Sequence, residues 1–301
     1  MRHHLQHRLQ QHLHKQTHYL TRIVTALLVM AALLASASSH AARPYKAPRG
    51  ADGKHPDLNG IWQAMNEANW NVERHVAKPS LQVRKGPLGP VPAVKTMYLG
   101  AVAAVPPGAG IVVGGEKIPY TKEALAKRDD NAANWLDRDP EVKCYLPGIP
   151  RANYMPQPFQ IFHGKGTVFF AYQYAGAVRE VYMDNNEPPP LDSWMGQSDG
   201  RWEGDTLVVE VTGQNAETWF DRAGNHHTEA MKVTERFTPV GPNHLQYEAT
   251  IEDPNVFTKP WKISMPLYRR MEPDARLMEF RCVEFVEELM YGEWRRKPLE
   301  R

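Results

Sequence analysis

The sequence predicts a mainly β fold, an antiparallel meander that closes into a barrel or a strongly curved sheet. Three observations predict it. Beyond Phe159, apolar and polar residues alternate in run after run, the period of half-buried strands. Turn residues separate the runs at short intervals, as in "VGPN", "DPN" and "MEPDA", so successive strands become neighbours. The 25 prolines leave room for one convincing helix, because a proline inside a helix removes a hydrogen bond and clashes with the preceding turn. A meander of this size best removes its exposed edges by closing on itself.

The elements follow in chain order. "MRHHLQHRLQQHLHKQTHYLTR" is basic and contains no acid, and the apolar run "IVTALLVMAALLASA" follows it. Small residues then fit cleavage after Ala37 or Ala41, so residues 1–41 read as a signal peptide. The apolar run is shorter than the roughly 20 residues a spanning helix needs, and no stable membrane insertion is expected after cleavage. Residues 42–158 hold a first strand in "PDLNGIWQ", a Pro/Gly-rich stretch over 66–118 and the helix "TKEALAKRDDNAANWL", capped by Thr121. The Pro/Gly stretch is too long for an ordinary loop and reads as a cover or a mobile segment. Residues 159–301 form the β domain, with seven expected strands: "GTVFFAYQYAG", "AVREVYMD", "DTLVVEVTG", "EAMKVTERFT", "HLQYEATIED", "WKISMPLYRR" and "ARLMEFRCVEFV".

Composition excludes some classes of function. A net charge of +2, with part of the basic balance in the first 22 residues, gives no basic face for nucleic acid. Cys144 and Cys282 are the two cysteines. In an exported chain they most simply form a disulfide, which points to a periplasmic or secreted protein. No phosphate-binding glycine loop, dinucleotide fingerprint or zinc spacing is present, so no cofactor is expected.

Gly196-Gln197-Ser198-Asp199-Gly200 matches G-x-S-x-G, the nucleophile elbow of serine hydrolases, which needs a strand before the serine and a helix after it. Here "NNEPPPLDSWMG" precedes it, and the turn Glu203-Gly204-Asp205 and a period-two run follow. Gly196 and Gly200 therefore read as turn glycines and Ser198 as a loop hydroxyl.

"WMGQSDGRWEGDTLVVEV", "TWFDRAGNHHTEAMKVTERF", "YEATIEDPNVFTKPW", "PDLNGIW" and "CYLPGIPR" together resemble a family of uncharacterised exported bacterial proteins. That family's motif is W-M-G-x-S-x-G-R-W-E-G-D-T-L-V, with His common where this chain has Gln197. The resemblance implies export and kinship and carries no reaction. The strand pattern, with Gly60-x-Trp62 on the first strand, also looks loosely like the lipocalin-type barrels.

On an extended chain His227, Glu229, Met231, Val233 and Glu235 share one face, which Val233 and Phe237 mark as apolar. Glu235 is then a carboxylate directed inward, unfavourable unless paired, with Arg179 or Arg281 as partner. Two readings stand. Glu235 is an acid/base group with His227 and Asp221 at a pocket mouth, or it belongs to a buried Glu–Arg pair that fixes register. His226 and His227 point to opposite sides of a strand and cannot chelate one ion together, so no metal site is expected. Tyr172, Tyr174, Tyr182, Trp202 and Trp219, with Arg179, are candidates either for lining a ligand cavity or for core packing. The sequence thus points first to a barrel that binds a small, largely apolar organic molecule. The alternative is a lyase, isomerase or cyclase using the buried Glu and His. A third possibility is an envelope interaction protein with a filled core.

Overall fold

The computed structural model describes residues 45–78, 105–185 and 187–283, all within one compact unit, Tyr45–Arg301. The expected signal peptide, residues 79–104 of the Pro/Gly-rich stretch and residues 284–301 lie outside the described residues.

Nine strands form a closed barrel in sequence order. They are β1 (Gly60–Gln63), β2 (Phe159–His163), β3 (Val168–Tyr172), β4 (Val178–Met183), β5 (Gln197–Glu203), β6 (Thr206–Thr212), β7 (Lys232–Gly241), β8 (His244–Glu252) and β9 (Trp261–Arg269). The β1–β9 pair, through Trp62↔Arg269 and Gln63↔Tyr268, closes the ring. The sequence reading contained eight strands, an even number that can alternate direction all the way round. Nine cannot, so one neighbouring pair in the ring must run parallel. That pair is β4–β5, in register Val181↔Ser198 and Met183↔Gly200. Parallel neighbours need a crossover of about a dozen residues or more, and the proline-rich segment 184–196 supplies it. Backbone bonds pin this crossover, from Asp184 N to Gly200 O (2.8 Å) and from Ser193 N to Gly213 O (2.8 Å).

Three details depart from the sequence reading. β2 and β5 are strands that it did not single out. The run from Ala275 to Val283 is no strand and is largely exposed, because β9 already has β8 on one side and β1 on the other. Ser198 lies within β5 rather than on a loop. Gly196 has φ +66° and does make a turn, whereas Gly200 sits in the strand, where a Cβ would clash with Val181 and lie 2.8 Å from Met183 Sδ. With β6 following the Gly204–Asp205 turn and no helix behind Ser198, the elbow geometry is absent from this stretch.

The alternation seen in the sequence sorts the core. Leu207, Val209 and Val211, Val233, Glu235 and Phe237, and Leu245, Tyr247, Ala249 and Ile251 are all buried, while their neighbours on β7 and β8 are partly exposed. Helix α1 (Lys122–Ala133) starts at Thr121, whose Oγ1 accepts from Ala124 N at 3.2 Å. A short second helix, α2 (Trp135–Arg138), follows and ends before Pro140. The described parts of the Pro/Gly-rich stretch pair with each other at His75↔Gly108 and Lys78↔Val105 and lie against β9 through Val112↔Ile263. Cys144 and Cys282 are joined in a disulfide with Cα atoms 5.7 Å apart.

Candidate functional site

The barrel interior carries one polar cluster, built from five strands and one turn. Glu235 projects inward from the middle of β7, as its place in the alternation requires, and is fully buried. Arg179 projects inward from β4, and its Nη2 donates to Glu235 Oε2. Arg179 Nε donates to Ser198 Oγ of β5 at 2.6 Å. The other carboxylate oxygen, Oε1, accepts from Tyr247 OH of β8 (2.8 Å) and from Asn153 Nδ2 (2.6 Å). Asn153 comes from the 3-10 turn Arg151–Tyr154, and its Oδ1 accepts from Tyr172 OH of β3 at 2.9 Å. Arg179 Nη1 is the one cluster atom left without a hydrogen-bond partner.

Electrostatics here follow from burial. Burial works against the Arg179 charge, yet the adjacent Glu235 carboxylate more than offsets it and raises the guanidinium pKa. Burial pushes the Tyr172 hydroxyl up to about 12, with Arg179 pulling the other way. Tyr247 is raised well above the ordinary tyrosine value by burial and by Glu235. Both tyrosines therefore remain protonated donors across the physiological range. Phe159, Phe170, Phe237 and Tyr247 are each completely buried around this cluster. Phe237 lies 5.0 Å from Tyr247 and 5.4 Å from Phe170, centroid to centroid. The interior at this level is filled by side chains.

His227 and Asp221 are not neighbours of this cluster. β7 begins only at Lys232, so His227 lies in the loop 213–231 instead of continuing the Glu235 face. His227 Nδ1 lies 2.9 Å from Thr228 O and Nε2 lies 2.6 Å from Thr218 Oγ1. Nδ1 must donate to the carbonyl, so Nε2 accepts the hydroxyl proton. Burial lowers the His227 pKa, consistent with that neutral ring. Asp221, fully buried, accepts from Val72 N (2.8 Å), Ala223 N (2.9 Å) and Asn225 Nδ2 (2.7 Å). Burial pushes its carboxyl up to about 6 against those hydrogen bonds. Arg281, the other partner considered for Glu235, is exposed and pairs with Glu279 at 2.8 Å.

The aromatic candidates scatter. Tyr172 is in the cluster. Tyr174 is buried at the β3–β4 turn, its hydroxyl donating to Glu141 O at 2.8 Å. Tyr182 is exposed on the outside of β4. Trp202 stacks on His55 at 4.6 Å and packs against His163 at 5.4 Å. Trp219 is buried and bridges to His226 through the backbone.

A second buried network had no signal in the sequence beyond its residue types. Arg151 binds Asp139 through both terminal nitrogens, at 2.8 and 2.9 Å, and donates from Nε to Asn69 Oδ1 at 2.9 Å. Glu141 Oε2 accepts from Arg222 Nε at 2.8 Å, with the Arg222 guanidinium packed 4.8 Å from the Trp70 ring and 5.3 Å from that of Trp135. Burial raises Asp139, with Arg151 opposing. For Glu141 the nearby Arg222 and Arg151 outweigh burial and lower it. These pairs join the segments around residues 69, 139, 151 and 222, none of them a strand.

Outside the barrel, the crossover and the strands beside it form an open cleft of about 470 Å³, lined by Asp184, Glu187, Pro188, Asp199, Arg201 and Glu210 among others. Asn185 Nδ2 donates to Asp199 Oδ1 at 2.7 Å. Among the described residues, no group of three or more His, Cys, Asp or Glu is placed to hold a metal ion, and no helix is long and apolar enough to cross a membrane. No family model, no curated protein and no solved structure matches the chain.

Proposed function

We propose that this protein is an exported, non-catalytic binding protein, with a filled barrel as scaffold and an outer surface that recognises its partner. The observation that carries the reading is the enclosure of Glu235. Three protein donors occupy its two oxygens, and completely buried aromatic rings surround it. A general base must reach the proton it removes within about 3 Å or through one water, and this carboxylate has no open side. His227 has both ring nitrogens engaged and stands apart. The disulfide is compatible with an oxidising compartment.

One observation favours a second reading, a small and largely apolar ligand or substrate held inside the barrel: the spare N–H of Arg179 Nη1. Such a molecule would have to part Phe170, Phe237 and Tyr247 to reach it. Native mass spectrometry of the chain purified from its own host decides between the two. The outer-surface reading expects the bare mature polypeptide, beginning after Ala37 or Ala41 and about two protons lighter than its reduced form. A stoichiometric small molecule that leaves only on unfolding would overturn it in favour of the interior site.

A further inference from the structure

The outer surface of β2, β3 and β4 departs from the rest of the barrel. On β7 and β8 the outward residues are polar or charged apart from Val240 near the end of β7: Lys232, Thr234, Arg236 and Thr238, then Gln246, Glu248, Thr250 and Glu252. On β2–β4 the outward set is Gln160, Phe162, Phe169, Ala171, Val178, Glu180 and Tyr182. The register makes the apolar members contiguous. Phe162 pairs across strands with Phe169, their rings 6.1 Å apart. Ala171 pairs with Val178, and Phe169 pairs with Glu180, which lies between Val178 and Tyr182. Val178 is 59% exposed, Tyr182 46% and Phe162 45%. A contiguous exposed apolar patch of this kind marks an interaction surface far more often than scattered single residues do.

Charge identifies what fits the patch. Glu180 is embedded in it. On its β5 flank Tyr182 pairs with Asp199, which opens onto the cleft with Asp184, Glu187 and Glu210. The cation in that cleft, Arg201, is held by Glu203 at 2.9 Å, and Glu210 is paired with Lys232 at 3.8 Å, so the acidic character rests on Glu180, Asp184, Glu187 and Asp199. The patch and its flank are therefore apolar and acidic. A second copy docked face to face would set Glu180 and the cleft carboxylates against their own kind. Because β1 and β9 close the barrel, the patch has no free strand edge, and a partner must lie on side chains. Three strands span about 10 Å, close to the roughly 10–12 Å diameter of an α-helix with its side chains.

Resting on the binding reading above, we infer that the outer face of β2–β4 is a docking surface for a basic amphipathic helix of another protein. The apolar stripe of that helix lies over Phe162, Phe169, Val178 and Tyr182, and its Lys or Arg side chains reach Glu180 and the cleft.

The test uses the purified full chain and two fluorescein-labelled 18-residue peptides of helical periodicity, one of Leu and Lys and one of Leu and Glu, followed by anisotropy. The Leu/Lys peptide is expected to bind saturably at one site, and the Leu/Glu peptide at least tenfold more weakly. The triple variant Phe162→Thr, Val178→Thr, Tyr182→Thr keeps strand-forming residues at outward positions. It is expected to weaken Leu/Lys binding at least tenfold with the melting temperature retained. Asp184→Asn with Glu187→Gln is expected to weaken it about threefold or more and to flatten its salt dependence. Absence of binding, equal binding of both peptides, or full affinity in the triple variant would overturn the inference. So would a dimer in sedimentation velocity that the triple variant dissolves, which would assign the face to a second copy. In each case, a bare polypeptide in native mass spectrometry leaves the non-catalytic binding reading standing, whereas a barrel-bound small molecule removes that reading itself.

Discussion

Two sectors of the barrel are built on different principles. β7, β8 and β9 are long, with nine or ten residues each; a tight turn joins β7 to β8, and the loop 253–260 joins β8 to β9. Their inner residues are apolar almost throughout and their outer residues are mostly polar. β2 to β5 are shorter, five to seven residues each, and include the parallel seam. On the inside they contribute Arg179, Ser198 and Gly200 beside apolar residues such as Phe159, Phe170 and Val181, and on the outside β2–β4 carry an apolar patch. The first sector is specified by local pairing and alternation. The second has fewer apolar side chains to bury at the seam, and a polar cluster ties it to the first: Arg179 of β4 and Ser198 of β5 reach Glu235 of β7 and, through it, Tyr247 of β8. Difficult topology is held here by a specific ion pair instead of by additional hydrophobic area.

Breaking that tie should have the largest effect. Arg179→Met leaves the Glu235 charge buried without its partner, and breaking such a pair costs about 3–5 kcal/mol. For a domain of this size that is a fall of roughly 10 °C in melting temperature, measurable by calorimetry. A change under about 1 kcal/mol would show that the seam does not depend on the pair.

Asp221 makes a different tie, between Val72 and the loop 213–231, and its effect depends on pH. Its folded pKa of about 6 lies above the ordinary carboxylate value, so the folded chain holds this proton to higher pH than the unfolded chain does. The stability it contributes is fully present below about pH 4 and is lost as pH rises through about 6, an effect on the order of 2–3 kcal/mol. Urea denaturation of wild type and Asp221→Asn at pH 4.5, 5.5 and 7.5 isolates it. Wild type should lose stability relative to the variant across that range, and a constant difference would remove the linkage.

Gly200→Ala sharpens the contrast at the seam itself. The added methyl meets Val181 and Met183, and overpacking of this kind costs about 1–3 kcal/mol. Hydrogen exchange should accelerate in β4 and β5 while β7–β9 keep their protection. Uniform acceleration would mean that the two sectors unfold as one unit.

The smallest effect is expected on the outer faces. Thr250→Ala on β8 and Phe162→Thr on β2 should each change stability by about 0.5 kcal/mol or less. Only Phe162→Thr should weaken binding of the Leu/Lys peptide.

What was legible in the sequence divides along the same line. β1 and β4 could be read as short strands, β3, β6, β7, β8 and β9 from their alternation, and α1 from its Thr121 cap and spacing. β5 could not, because its inward residues are Ser198 and Gly200, and a strand facing a polar cluster and a crowded seam has no apolar period to display. The alternation of Met231, Val233, Glu235 and Phe237 put Glu235 inside and made Arg179 a candidate partner. Extending the same period back to His227 failed, because the strand begins at Lys232 and the chain turns beforehand. Asn153 left no trace at all. Its segment reads as proline-punctuated and extended, and its role depends on a 3-10 turn reaching residues more than eighty positions away.

By itself, then, the amino-acid order determined the kind of element and the direction in which most side chains point, because backbone period and turn chemistry are local properties. The tertiary structure decided that nine strands close the ring, that β4 and β5 are the pair that runs parallel, and that Arg179, Ser198, Asn153 and Tyr247 meet around Glu235. Ring closure and the meeting of buried polar groups depend on which distant segments become neighbours, and no local pattern encodes that.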